Sequence, residues 1–235
     1  MARTTSSPWS CARHAAKRRR GLCLLVGAGV VAVAVPASAA AAAVPAATEA
    51  AEPRAAIPCE MYLTDLKNQD VKSTWTFHVD AHGRPERATA KKLTVGDSPR
   101  DQKCETKVGN WGGSGFDGGH LIAATLKGVS KRVNLVPMER SINRGIYKSF
   151  ETGAKNCIKA GKNETAYKSV VQYPNDTSVV PNKFTVSMVP KARGGSRGPE
   201  IRLEIPNAEL TPKKKKELKN TLNEGLAKNG CTTVS

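Results

Sequence analysis

Aromatic residues make up only 5% of this 235-residue chain, and its 20 acidic residues are outnumbered by 37 lysines and arginines. So few rings exclude a binding surface built from many stacked aromatics. The shortage of acid leaves a formal net charge of +17, which points to a polyanionic partner, either a nucleic acid or an anionic surface. No two cysteines stand in C-x-x-C spacing, which argues against a structural zinc site. Long apolar runs are scarce too: Gly21–Val35 has about fifteen residues, short of the roughly twenty that a membrane span needs. There is no internal repeat, and the length suits one ordinary domain with an accessory segment.

What is there begins with Lys17-Arg18-Arg19-Arg20 ahead of that apolar run, and Pro36 introducing Ala37-Ser38-Ala39 after it. Basic stretch, apolar stretch and small-x-small triplet in that order form a secretory signal spanning 1–39, with cleavage expected near Ala39. Its removal takes away six of the 37 basic residues and no acidic one, so +11 stays with the mature chain, for which no membrane association is expected. Residues 40–56 are rich in Ala, Pro and Glu without apolar period and read as a disordered leader, so the ordered domain is expected over 57–235. Four cysteines lie in that domain: Cys59, Cys104, Cys157 and Cys231. In an exported domain they imply two disulfides with three connectivities open. Cys59–Cys104 with Cys157–Cys231 is preferred, because it staples each end of the domain to its middle.

Period-2 alternation predicts a strand over Ser73–Val79, a turn at Asp80–Gly83, and a return over Arg87–Val95. Residues 96–119 are polar and glycine-rich and read as a long loop. Arg132–Val136 reads as a buried strand stopped by Pro137. From Ser141, a plausible N-cap, to about Lys159, the apolar residues Ile142, Ile146, Phe150 and Ala154 recur at helical spacing. Strands are expected over Tyr167–Tyr173, Lys183–Val189 and Ile201–Ile205. Thr211-Pro212 opens a last helix with Leu218, Leu222 and Leu226 on one stripe, closed by Gly230. Lys213–Lys216, at that helix's start, reads as a solvated face, with a phosphate contact as the other reading. The sum is an α+β domain with a strand–loop–strand–helix unit at its centre.

That unit carries the chemistry. It reads Phe116-Asp117-Gly118-Gly119-His120-Leu121-Ile122-Ala123, then Asn134-Leu135-Val136-Pro137, then Asn143-Arg144-Gly145 and Glu151. Phosphodiester hydrolysis needs a base for water and a positive centre for the charge that grows on phosphate oxygens. Histidine titrates near neutrality and suits the first task, with activity falling as pH drops through about 6.5. Mg²⁺ takes oxygen ligands and keeps most of its waters, so one Asn amide with a nearby carboxylate suits the second. Eight residues apart on a helix, Asn143 and Glu151 are separated by about 80° around the axis and about 12 Å along it. Asn143 is therefore the better direct ligand, and Glu151 an outer-shell partner. Taken singly each residue has a bland reading: an Asx turn at Asp117, a core histidine, a capping Asn, an exposed Glu.

In this order and spacing, the motif resembles that of the DNA/RNA non-specific endonucleases, ββα-metal (His-Me finger) nucleases marked by a D-R-G-H or D-G-G-H box. The likeness is strong over about 116–151 and weaker at Gly83-Arg84-Pro85 and Arg100-Asp101-Gln102. It implies a central ββα-metal motif with flanking antiparallel strands and a C-terminal helix. It also implies His120 as general base, Asn143 as the ligand of Mg²⁺ (or Mn²⁺ in its place), Glu151 as outer-shell carboxylate and Asn134 as a polar residue lining the site. DNA and RNA would be the substrates, and the products would carry 5′-phosphates. Many relatives have Arg where this chain has Gly118, so the phosphate contact must come from elsewhere: Arg144 first, or Arg84, Arg100 or Lys148. Two other readings compete with a secreted nuclease, an antibacterial effector with the same site and an exported nucleic-acid-binding protein on a degraded scaffold.

Overall fold

Asp80 shapes the first hairpin of the computed structural model, which describes residues 57–235. Its Oδ1 accepts the backbone N–H groups of His82 (2.9 Å) and Arg84 (2.8 Å), and Gly83 takes φ +82° against the Leu63 backbone. The turn joins β2 (Thr76–Val79) to β3 (Pro85–Ala90), with β1 (Asp70–Lys72) on the outside of β2. Both strands are shorter than the alternation predicts. The signal and leader expected over 1–56 lie outside the described residues.

Three further strands, β6 (Ala166–Gln172), β7 (Lys183–Val189) and β8 (Ile201–Pro206), match their expected positions closely. Together the strands form a six-stranded antiparallel sheet in the order β1-β2-β3-β6-β7-β8. Register puts like with like on one face: Tyr167 opposite Met188, Val171 opposite Phe184, Val186 opposite Leu203, Phe184 opposite Ile205. These side chains are buried, while Lys168, Arg202 and Glu204 alternate onto the solvent face.

Two helices cover the apolar face. On α3 (Lys148–Lys159), Phe150 meets the Tyr167 ring edge-on at 5.7 Å, and Tyr147 just before it meets Phe184 at 5.6 Å. On α4 (Pro212–Lys228), Leu218, Leu222 and Leu226 are buried along the expected stripe, capped by Thr211. Gly153 of α3 lets Leu226 come close, since a Cβ there would stand 3.0 Å from the leucine. The disulfides are Cys59–Cys104 and Cys157–Cys231, the preferred pairing, and the second ties the end of α3 to the chain three residues past α4.

The remaining elements correct the sequence expectation. The supposed loop 96–119 contains α1 (Gln102–Asn110), N-capped by Asp101, whose carboxylate accepts Cys104 N–H at 3.0 Å, and ends in β4 (Phe116–His120). Arg132–Asn134 is a 3₁₀ turn, and the strand that follows, β5 (Leu135–Glu139), runs through Pro137. Pro137 is tolerated because β4 and β5 form a separate two-stranded ribbon in which every strand is an edge. The chain then turns directly into α2 (Arg140–Ile142), a wide π-type turn over Asn143–Tyr147, and α3. Glu139, not Ser141, is the N-cap: its carboxylate accepts Ile142 N–H at 2.9 Å, and the Ser141 hydroxyl donates to it.

Candidate active site

The ribbon, α1 and the α2–α3 run enclose a cleft of about 540 Å³. Of the residues singled out from sequence, His120, Asn143, Glu151, Arg100, Arg144 and Lys148 all line it. His120 comes from the last position of β4, paired with Leu135, and Asn143 opens the turn that follows α2. A two-stranded ribbon followed by a helix therefore brings residues 23 apart in sequence to one wall.

His120 is 8% exposed. Its Nε2 stands 2.9 Å from the Ser130 hydroxyl, which donates to Glu105 Oε1 at 2.8 Å. Arg100 Nε lies 3.1 and 3.2 Å from the two oxygens of Glu105, and its Nη2 also bonds this carboxylate. Burial alone would raise the Glu105 pKa, but the hydrogen bonds from Arg100 and Ser130 and the charges around it hold the carboxyl below its usual range. Burial drives His120 the other way, down to about 4, with Glu105 opposing and Arg100 assisting. The imidazole is therefore neutral across the physiological range, and the expected titration near 6.5 moves well into acid.

Asn143 owes its orientation to Asp117. Its Nδ2 donates to Asp117 Oδ2 at 3.1 Å, which leaves the amide oxygen for another partner. Asp117 also receives Arg144 (2.8 and 3.0 Å) and Arg140 (3.3 Å). Burial would raise its pKa; the donors from Arg144, Asn143 and Arg140 overturn that and keep it low. Asp117 is thus a cross-brace between β4 and the helical run, beyond the Asx turn that its sequence context suggested.

Gly145, at φ −107° and ψ −109°, breaks the helix between Asn143 and Glu151. An extra residue in one turn sets the later residue back by about one 100° step, so the 80° offset of an unbroken helix largely closes. Both side chains accordingly face the cleft. Burial pushes the Glu151 carboxyl up to about 8, opposed by the charges of Lys155 and Lys148, and no hydrogen bond contributes to holding its charge. A free amide oxygen and a half-buried carboxyl group that receives no hydrogen bond, both lining one cleft, are a donor set that fits a hard divalent cation. Among the described residues no cluster of three His, Cys, Asp or Glu could hold a metal, so such a site would depend on Asn143 and water.

Two expected residues lie elsewhere. Asn134 is 0% exposed, and its amide is fully engaged: Oδ1 accepts Ile122 N–H, and Nδ2 donates to the carbonyls of Ile122 and Val129, all at 2.9 Å. It is a loop clamp behind the site and does not line it. Arg84 is 4% exposed, bonded through Nε to Asp80 (2.8 Å) and through Nη1 to the carbonyls of Asn175 and Ser178, with its guanidinium over the Tyr173 ring. It cannot reach a phosphate. Glu105, Ser130, Arg140 and Lys155 were not foreseen; Asp101 as a cap ahead of Cys104 was the one sequence signal for the helix that presents Glu105.

Gly118 has a steric explanation. A Cβ there would lie 2.1 Å from the Glu105 carbonyl oxygen, and a Cβ on Gly109 would lie 2.9 Å from Gly118 N. Helix α1 sits backbone-to-backbone on β4, so no side chain fits at 118, and Arg100, Arg140, Arg144, Lys148 and Lys155 supply the cations of the cleft.

Residues 65–191 match the model of the DNA/RNA non-specific endonuclease family. Among solved structures, the chain is similar to NucA from Streptococcus agalactiae. The metal-free form is 21% identical, with TM-score 0.44, over 63% of this chain and 77% of that one. The form with a magnesium ion bound is 22% identical, with TM-score 0.46, over 59% of this chain and 74% of that one.

Proposed function

The chain belongs to the DNA/RNA non-specific endonuclease family, and from that premise we propose that it is an exported enzyme cutting DNA and RNA alike, with His120 as base and Asn143 as ligand of a divalent cation, Mg²⁺ or Mn²⁺. The observation that supports this most is the meeting of His120, Asn143 and Glu151 on one cleft rimmed by arginine and lysine. His120, neutral through burial, takes a proton from water, and the water attacks phosphorus in line. Asp117 holds the Asn143 amide through Nδ2, which leaves the amide oxygen as the atom that would take the cation. Glu151 serves as the outer carboxylate. When bound, the cation would offset charge on the phosphate oxygens and on the departing 3′ oxygen. Arg100, Arg144 and Lys148, joined by Arg140 and Lys155, grip the phosphates without reading bases. The two disulfides favour an oxidising compartment and so export.

The test is digestion of supercoiled plasmid and of RNA by residues 40–235, unreduced, with Mg²⁺ or with EDTA, beside Asn143→Ala. Cleavage of both substrates that needs metal and is lost in the variant supports the proposal. A folded wild-type protein that shifts DNA on a gel and never cuts it would overturn the enzymatic reading in favour of a binding protein.

A further inference from the structure

We propose that Glu105 and Ser130 are positioning residues that hold His120 as its Nε2–H tautomer, so that Nδ1 is the atom that takes the proton from water. This deepens the reading of His120 as base and rests on it.

The argument turns on one proton. A serine hydroxyl has a single hydrogen. Ser130 Oγ stands between Glu105 Oε1 at 2.8 Å and His120 Nε2 at 2.9 Å, both hydrogen-bonding distances. Glu105, clasped by the Arg100 guanidinium, is a carboxylate and can only accept. The hydroxyl hydrogen must therefore point to Glu105, since otherwise two oxygens with only lone pairs would face each other in a buried site. The Ser130 oxygen can then only accept from His120, so Nε2 carries the imidazole hydrogen. The neutral ring has its lone pair on Nδ1, and among the described residues no hydrogen bond occupies that atom.

The arrangement does for His120, through one hydroxyl, what a carboxylate beside a catalytic imidazole does directly: it fixes tautomer and ring plane, and its charge faces the ring when the proton arrives. In the step itself Nδ1 gains the proton of the attacking water. Nε2 keeps its hydrogen, and neither Ser130 nor Glu105 changes protonation. The charged groups acting on the ring are Glu105, 3.7 Å from Nε2, and Arg100 behind it.

Glu105→Gln separates this from a merely structural role. Glutamine can present its NH₂ to Ser130, which turns the hydroxyl round to donate to Nε2 and forces the hydrogen onto Nδ1. Ser130→Ala only removes the guide and leaves both tautomers available. The expected order of kcat is wild type, then Ser130→Ala lower by about 10–100-fold, then Glu105→Gln lower still, with KM for plasmid DNA changed by less than about three-fold in each.

The direct reading is ¹⁵N–¹H long-range correlation on histidine-labelled protein. Only His78, His82 and His120 lie in the exported chain, and His120→Asn assigns the third. Wild type should show a protonated Nε2 and an unprotonated Nδ1 at His120, and Glu105→Gln the reverse. A wild-type Nδ1–H tautomer, or equal kcat in the two variants with unchanged tautomer, would overturn the proposal. The tautomer is read without substrate, so an inactive wild type would count against the nuclease reading alone. If either variant fails to fold, the wild-type spectrum still decides.

Discussion

The six-stranded sheet with α3 and α4, and the ribbon with its cleft, are built by different forces. In the sheet, burial does the work: Phe184, Val186, Leu203, Leu222 and Leu226 bring non-directional stabilisation that tolerates substitution of similar volume. In the cleft, buried polar groups are held by directional bonds, and the chain passes so close that Gly118 and Gly109 admit no side chain. Among the described residues no buried side-chain nitrogen or oxygen lacks a partner, so the polar region is fully satisfied, though with little slack. The difference teaches that the same loss of a few atoms should cost fold in one region and chemistry in the other.

The sharpest break between them is His120→Ala. Cleavage should fall by roughly 10²–10⁴-fold, the usual reach of a general base, while DNA binding stays within a few-fold. Parallel plasmid-nicking and gel-shift assays check this, and equal loss of both would make His120 structural. Its counterpart is Leu222→Ala, which leaves a cavity between α4 and the sheet. Urea unfolding should register a loss of about 2–5 kcal/mol, with kcat per folded molecule unchanged at low temperature.

Acid probes the cleft through His120. His120 titrates at about 4 when folded and near 6.5 when unfolded. Between those values the unfolded chain binds the extra proton, so stability should rise with pH across that window and be lost as pH falls through it. The depressed Glu105 carboxyl acts in the same direction, its contribution lost as pH falls. The histidine contributes on the order of 3 kcal/mol. Unfolding midpoints at pH 7 and pH 4.5 should converge in His120→Asn relative to wild type; an unchanged pH slope in the variant would place the acid sensitivity elsewhere.

The two regions were also unequally legible. Runs of five to seven residues separated by Pro, Asn, Asp and Gly located β6, β7 and β8, and a leucine stripe with a Thr-Pro start located α4, because elements buried on one face leave such patterns in sequence. The motif pointed to His120, Asn143 and Glu151, which the fold does bring to one cleft, because the chemistry proposed for each needs a particular functional group. Helix α1 left no such trace: its buried face is Cys104, Glu105, Val108 and Gly109, a helix that packs by close backbone approach more than by apolar bulk. Ser130 is one hydroxyl in a loop, meaningful only through the 25 residues that the fold closes between it and Glu105. Asn134 and Arg84 were misassigned for a related reason. Polar residues in a functional-looking motif serve equally well to satisfy buried backbone, and only burial separates the two roles.

The smallest expected effect tests whether the cleft's charge, rather than the net charge of the whole chain, grips the substrate. Lys155 lines the cleft, and Lys168 stands on the solvent face of β6. Each substitution to alanine removes one charge from the same chain. If phosphates run along the α2–α3 wall, Lys155→Ala releases about one fewer counterion and lowers the slope of log K against log salt by about 1, uniformly across sequences. Lys168→Ala should leave that slope unchanged, since a charge on the far face of a folded sheet is screened beyond about 10 Å at 0.1 M salt. Equal shifts in the two variants would mean that duplex DNA is held by the whole basic surface, and the cleft would then be where cutting happens without being what captures the substrate.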